Sequence, residues 1–227
     1  MKTSQQIQVA LIGRERQPVI IVDNFVPAPD TLVGLAAGSK FAAMGAYYPG
    51  LRAPVPTECV TAYIAPLAEL ISVTFGVSAN PELIEAMFSL VTTPPAALRP
   101  IQRMPHFDGC EPERLALLHY LGGCKGSGTA FYHHRSTGFE TISPTRLEPY
   151  DAALHRDVAA HGMPDPAYIA GDTPIFEQTA HFEAQFNRAL IYRGNVLHCA
   201  DISPETPLSD DPLTGRLTVN TFLMGTT

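Results

Sequence analysis

The stretch Arg103-Met104-Pro105-His106-Phe107-Asp108-Gly109 sets an imidazole and a carboxylate one residue apart. In a β-strand, residues i and i+2 point to the same face. On a strand end, His106 and Asp108 would supply two ligands of a 2-His-1-carboxylate triad, which holds non-haem Fe(II) and leaves coordination positions open. The third ligand must be a distant His on a neighbouring strand. His198 is the best candidate, because an apolar run through Leu190, Ile191 and Tyr192 leads to it. Two other pairs have the same spacing, His155-Arg156-Asp157 and His181-Phe182-Glu183. The first reads as helix, where i and i+2 lie about 200° apart and cannot share one ion. The second could lie on a strand and stands as a rival, although no glycine turn follows it.

These ligands need a scaffold, and composition bounds what it is. The chain has 227 residues, enough for one domain with a packed core, and 45% of them are hydrophobic. Only 16% are charged, the net charge is −7 and no basic cluster stands out, which argues against a nucleic-acid partner. The segment Met1-Lys2-Thr3-Ser4-Gln5-Gln6 leads into alternating residues without an apolar stretch, so no signal peptide is expected. No apolar run is read as approaching a membrane span. Cys59, Cys110, Cys124 and Cys199 have neither C-x-x-C nor zinc-type spacing. Reduced thiols, packed as small residues in a cytoplasmic protein, are the expected state.

Patterning predicts strands over 7–12 and 18–26. Asp30 is positioned to cap a helix that begins at Thr31. In Tyr47-Tyr48-Pro49-Gly50-Leu51-Arg52, Pro-Gly predicts a type II turn with Gly50 at positive φ. The two Tyr and the Arg could line a pocket mouth or belong to an ordinary amphipathic loop. Tyr63, Leu67, Leu70 and Ile71 predict a helix over 57–76. Asn80-Pro81 predicts another over 81–91, with the proline in the first turn. From Arg99 onward, short apolar runs alternate with glycine turns. Strands are expected over 99–107, 114–121, 128–135, 175–183, 187–193, 196–200 and 216–224, interrupted by a helix over 145–161. His133 and His134 are adjacent, so on a strand they face opposite sides and read as surface or pocket-wall residues. The expected class is α+β, mainly β. It is a jelly roll in one domain over 1–227, with 1–98 giving N-terminal strands and bracing helices and 99–227 the core. A jelly roll brings distant strands to one open end, as a triad split between 106–108 and 198 requires.

Read together, these pieces resemble the Fe(II)/2-oxoglutarate-dependent oxygenases, the double-stranded β-helix family that includes the prolyl hydroxylases. His106-Phe107-Asp108 resembles the His-x-Asp motif. Leu117-Leu118-His119-Tyr120-Leu121 resembles the next strand, and Gly126-Ser127-Gly128-Thr129-Ala130-Phe131 the Gly-Gly-x-Thr-x-Phe turn. The distal His198 and Arg216-Leu217-Thr218-Val219 follow in order, and Val22-Asp23-Asn24-Phe25-Val26-Pro27 is similar to the family's first strand. The likeness spans residues 99–224, and it is closest to a bacterial branch of the family.

The resemblance implies that His106, Asp108 and His198 bind Fe(II). It implies that Arg216, with Thr218 beside it, anchors the far carboxylate of 2-oxoglutarate, and that Tyr120 helps to hold that cosubstrate or packs in the core. A guanidinium suits a carboxylate because it is planar, always charged and can bond bidentately. A buried Arg without an anion is costly, so an inward Arg216 calls for an anionic cosubstrate. The implied reaction uses O2 and converts 2-oxoglutarate to succinate and CO2 while hydroxylating a C–H bond of a small-molecule or peptide substrate. Retention of Asp108 points to hydroxylation rather than halogenation. Two other classes stand beside this one, a cupin-like metal enzyme that does not use 2-oxoglutarate and a non-catalytic binding protein on the same fold. Arg216 follows His198 by 18 positions (216 − 198), farther than in relatives, across the Pro-rich acidic segment 201–212. A surface insertion of that kind adds little closure entropy.

Overall fold

The computed structural model describes residues 4–45 and 47–226. Among them, eleven strands form two antiparallel sheets. The larger sheet runs in the order β1 (Gln6–Ile12), β2 (Gln17–Asp23), β9 (Ala189–Arg193), β6 (Arg114–Tyr120), β11 (Leu217–Met224), β5 (Glu82–Val91), β4 (Gly50–Pro54) and β3 (Ala42–Ala43). The smaller sheet runs β10 (His198–Ile202), β7 (Ser127–His134) and β8 (Phe176–Glu183).

Side-chain alternation decides what each face does. On β6, Leu115 and Leu117 point to one side together with Leu217 and Val219 of β11. Helices α1 (Pro29–Ala37), α2 (Thr57–Ile64) and α3 (Ala68–Phe75) cover that side through Leu32, Val60, Ile64, Ile71 and Phe75. Ala116, Leu118 and Tyr120 point the other way and meet Phe131 of the smaller sheet. Helix α4 (Pro144–His161) closes the far side of the smaller sheet, where Tyr150 packs with Tyr132 and Phe176. Each fully buried large apolar side chain contributes roughly 1.5–3 kcal/mol. The space between the two sheets is where a site can form.

Several expectations change. The segment 81–91 is strand, not helix. Its Glu, Leu, Ala and Met residues favour helix, but it pairs with β4 on one side and β11 on the other, and pairing overrides propensity. With β5 and β4 built into the large sheet, its strands come from both 1–98 and 99–227. The expected strand 99–107 is instead a 3-10 turn over Pro100–Arg103 followed by a single bridge at His106. Prolines 100 and 105 remove two backbone donors from it.

Asp30 lies in the first turn of α1, after Ala28 as cap and Pro29, where its charge suits the helix N-terminus. Gly50 begins β4 without a positive φ. It is needed because a Cβ there would lie 1.9 Å from the Leu90 carbonyl oxygen. His133 and His134 are both buried, against Glu177 at 3.7 Å and Asp157 at 3.0 Å. By length and composition, Thr57–Phe75 is apolar enough to cross a membrane, contrary to the expectation. In the fold it breaks at a 3-10 turn containing Pro66 and lays its apolar stripe on the sheet, with Glu58 and Glu69 on the exposed side.

Candidate metal centre and cavity

Backbone pairing brings the three ligand candidates together. His106 N–H donates to the His198 carbonyl at 2.8 Å, and His198 N–H donates back to His106 at 2.8 Å. Two residues on, Asp108 N–H donates to the Gly194 carbonyl at 2.7 Å. The segment 106–108 therefore runs antiparallel to 194–198, and the i, i+2 spacing puts both side chains beside His198. His198 faces inward because it pairs with Phe131 across β10 and β7, and Phe131 points between the sheets.

One ligand atom from each residue lies within 4.8 Å of the other two. His106 Nε2 is 3.6 Å from Asp108 Oδ1, and His198 Nε2 is 3.3 Å from Asp108 Oδ2. His198 Nδ1 lies 2.8 Å from the Val196 carbonyl oxygen. A carbonyl can only accept, so Nδ1 carries the proton and Nε2 faces the cluster. A backbone carbonyl holding the far nitrogen is the usual support of a metal-bound His. The donor set of two imidazoles and a carboxylate, on this spacing, fits a divalent ion such as Fe(II).

The three groups are electrostatically coupled. Burial pushes the Asp108 carboxyl up, but the charge of His198 and the contacts from both imidazoles outweigh it and hold the group well below the carboxylate range. Burial lowers His198, and Asp108 more than reverses this, so its pKa is raised. Burial and the neighbouring His198 lower His106. Its side chain is 48% exposed, but onto a protein-walled cavity, which still desolvates it.

That cavity has a volume of about 490 Å3. His106, Asp108, His198 and Arg216 all line it. Arg216 is 2% exposed, donates from Nη2 to the Gly128 carbonyl at 3.0 Å and lies over the Tyr120 ring at 5.6 Å. Its Nε is buried without a hydrogen-bond partner. Tyr120 and Thr218 are buried outside the lining. The Tyr120 hydroxyl meets Thr129 Oγ1 at 2.6 Å, and Thr218 Oγ1 donates to Asn220 Oδ1 at 2.7 Å. The rival His181 turns instead to Asp201, at 2.8 Å.

Tyr48 and Arg52, raised from sequence only as mouth residues, line the wall, with the Arg52 guanidinium 4.3 Å from the Tyr48 ring. Tyr168 and Tyr192 also line it and were missed. Tyr192 packs edge-on to His198 at 4.8 Å. The apolar run before His198 was the available signal for Tyr192, while the loop holding Tyr168 carried none.

Comparison with known proteins gives distant likenesses. The chain is similar to the non-haem alpha-ketoglutarate-dependent epimerase SnoN from nogalamycin biosynthesis, at 13% identity and a TM-score of 0.48, covering 93% of this chain and 79% of that one. It is similar to an N-substituted L-amino acid dioxygenase from Burkholderia ambifaria AMMD at 12% identity and 0.46, covering 99% and 96%. For HygX from Streptomyces hygroscopicus, bound to nickel and 2-oxoglutarate, the values are 11% and 0.49, covering 94% and 84%. No curated protein sequence matches it. A family model described as a family of unknown function, DUF6445, matches residues 3–223, and the chain belongs to that family.

Proposed function

We propose that the protein is an Fe(II)- and 2-oxoglutarate-dependent oxygenase, built on a double-stranded β-helix, that hydroxylates a small-molecule or peptide substrate. The observation that carries this reading is a single cavity walled by a metal-sized His106–Asp108–His198 cluster and by Arg216, a buried cation with unused donors. Iron with its bound cosubstrate would supply the oxidising chemistry. The chain's own residues orient and exclude. Val196 fixes the tautomer of His198, and Asp108 offers the one negative charge of the donor set. Arg216 would take the far carboxylate of 2-oxoglutarate, and Tyr192 would shield His198 from water. Four free thiols fit a reducing, cytoplasmic setting.

Titration calorimetry with Mn(II), then 2-oxoglutarate, tests the reading, with succinate measured under O2 in the Fe(II) form. Wild type should bind both and form succinate. Asp108→Ala should lose metal binding and turnover while keeping its fold, because the bond from its backbone N–H to Gly194 survives. Wild-type succinate formation by that variant would overturn the triad. Metal binding without any 2-oxo acid would leave a cupin-like enzyme, and binding of neither a non-catalytic protein.

A further inference from the structure

Resting on the oxygenase reading, we infer that Arg52 is the docking point for a carboxylate on the primary substrate, whose remainder is apolar. Arg52 lies on β4 and lines the same cavity as the His–Asp–His cluster. The pairings Arg52↔Ser89 and Ser89↔Thr218 put it in one cross-strand row with Thr218, so it projects from the same face of the large sheet as Tyr120. The Arg52 Cζ lies over the Tyr48 ring, 4.3 Å from its centroid, a cation–π contact that uses none of the guanidinium N–H groups as hydrogen-bond donors. The in-plane N–H groups stay available, and these are the donors that grip a carboxylate bidentately. Nε is buried without a hydrogen-bond partner, and among the described residues no carboxylate lies within ion-pair distance of Arg52.

The second donor is beside it. The Tyr48 hydroxyl is buried next to Ser89 without a hydrogen bond of normal geometry, and the charges of Arg216 and Arg52 both act on it.

Charge balance gives the substrate class. With a divalent ion bound, that ion, Arg216 and Arg52 would oppose the single carboxylate of Asp108. The dianion 2-oxoglutarate leaves one positive charge unmatched, and a desolvated positive charge favours an anion. The rest of the wall includes Ile101, Met104, Phe107 and Ile169, which suit an apolar body rather than a sugar or nucleotide.

The test compares monocarboxylic acids with their neutral amides. Protein loaded with Mn(II) and 2-oxoglutarate is titrated with octanoate, 3-phenylpropanoate and the two matching amides. At least one acid should bind about tenfold or more tighter than its amide, the worth of a charge-assisted hydrogen bond. Arg52→Gln should erase that preference with 2-oxoglutarate affinity unchanged, and Arg52→Lys should keep part of it. The wild-type comparison decides even where a variant fails to fold. Acid and amide binding alike, no binding of either acid, or a preference that survives Arg52→Gln would overturn the inference. So would a loss of 2-oxoglutarate affinity in Arg52→Gln equal to that of Arg216→Ala, since Arg52 would then belong to the cosubstrate site. If wild type takes up neither Mn(II) nor 2-oxoglutarate, the oxygenase reading fails. The acid–amide comparison on unloaded protein still decides the role of Arg52.

Discussion

A guanidinium buried to 2% exposure, with a bond to Gly128 and an unpartnered Nε, is an unusual resident of a protein interior. Arg216 stays charged there, because an Arg does not give up its proton. Its stability then depends on Tyr120 beneath it and on whatever anion enters the cavity. A charge-assisted bidentate bond contributes roughly 1.5–3 kcal/mol. Arg216→Ala should therefore raise the Kd of 2-oxoglutarate by about ten- to a hundred-fold. Mn(II) affinity should hold, since none of its ligands is bonded to Arg216. Calorimetry of both ligands separates the two effects, and unchanged 2-oxoglutarate affinity would return Arg216 to a structural role.

At the scale of elements, the position of Arg216 is set by two close glycine-rich turns. Gly123 has a φ of +56°, and a Cβ there would sit 2.5 Å from both the Arg216 Cα and its backbone nitrogen. The turn after β6 and the approach to β11 touch backbone to backbone, which only glycine permits. Gly123→Ala should cost about 1–2 kcal/mol for the left-handed backbone alone, and it should also push Arg216 out of register. A lower melting temperature with weakened 2-oxoglutarate binding and intact Mn(II) binding is expected. The candidate metal ligands are held by a separate pairing, between 106–108 and 194–198. A variant that loses both ligands equally would show that the two halves of the site are not independent.

Across the whole molecule, the join between the first strands and the site strands carries a pH sensor of stability. His119, 2% exposed on the helix-covered side of β6, lies 3.1 Å from Asn187 Oδ1, while Asn187 bonds both backbone groups of Val26. Burial lowers the pKa of His119 from 6.5 to about 4, although the Asn187 contact opposes it. Below pH 6.5 the unfolded chain takes up a proton that the folded chain refuses. Stability should fall as the pH drops from about 6.5 to 4, by about 3 kcal/mol in total. Urea unfolding at pH 7 and pH 4.5 checks this, and His119→Gln, which keeps a donor for Asn187, should flatten that part of the slope. An equal slope in the variant would assign the acid sensitivity to other groups.

Much of the candidate metal centre was legible because its signal is local. One intervening residue puts His106 and Asp108 on the same side of an extended chain whether that chain is a full strand or, as here, a single bridge. The apolar run before His198 likewise announced a buried strand. Most strands from 114 onward followed from alternation and glycine turns. The sequence could not say that Glu82–Val91 is strand, because its residues favour helix and only its neighbours β4 and β11 decide otherwise. Nor could it say which residues reach the cavity. Tyr120 and Thr218 share the row of Arg52 yet are spent on Thr129 and Asn220, while Tyr48, Arg52 and Tyr168 arrive from loops and an outer strand. Local spacing determines which side chains are neighbours along the chain. Which distant strands share a register, and so which charges face one cavity, is settled only when non-local pairing and burial act together.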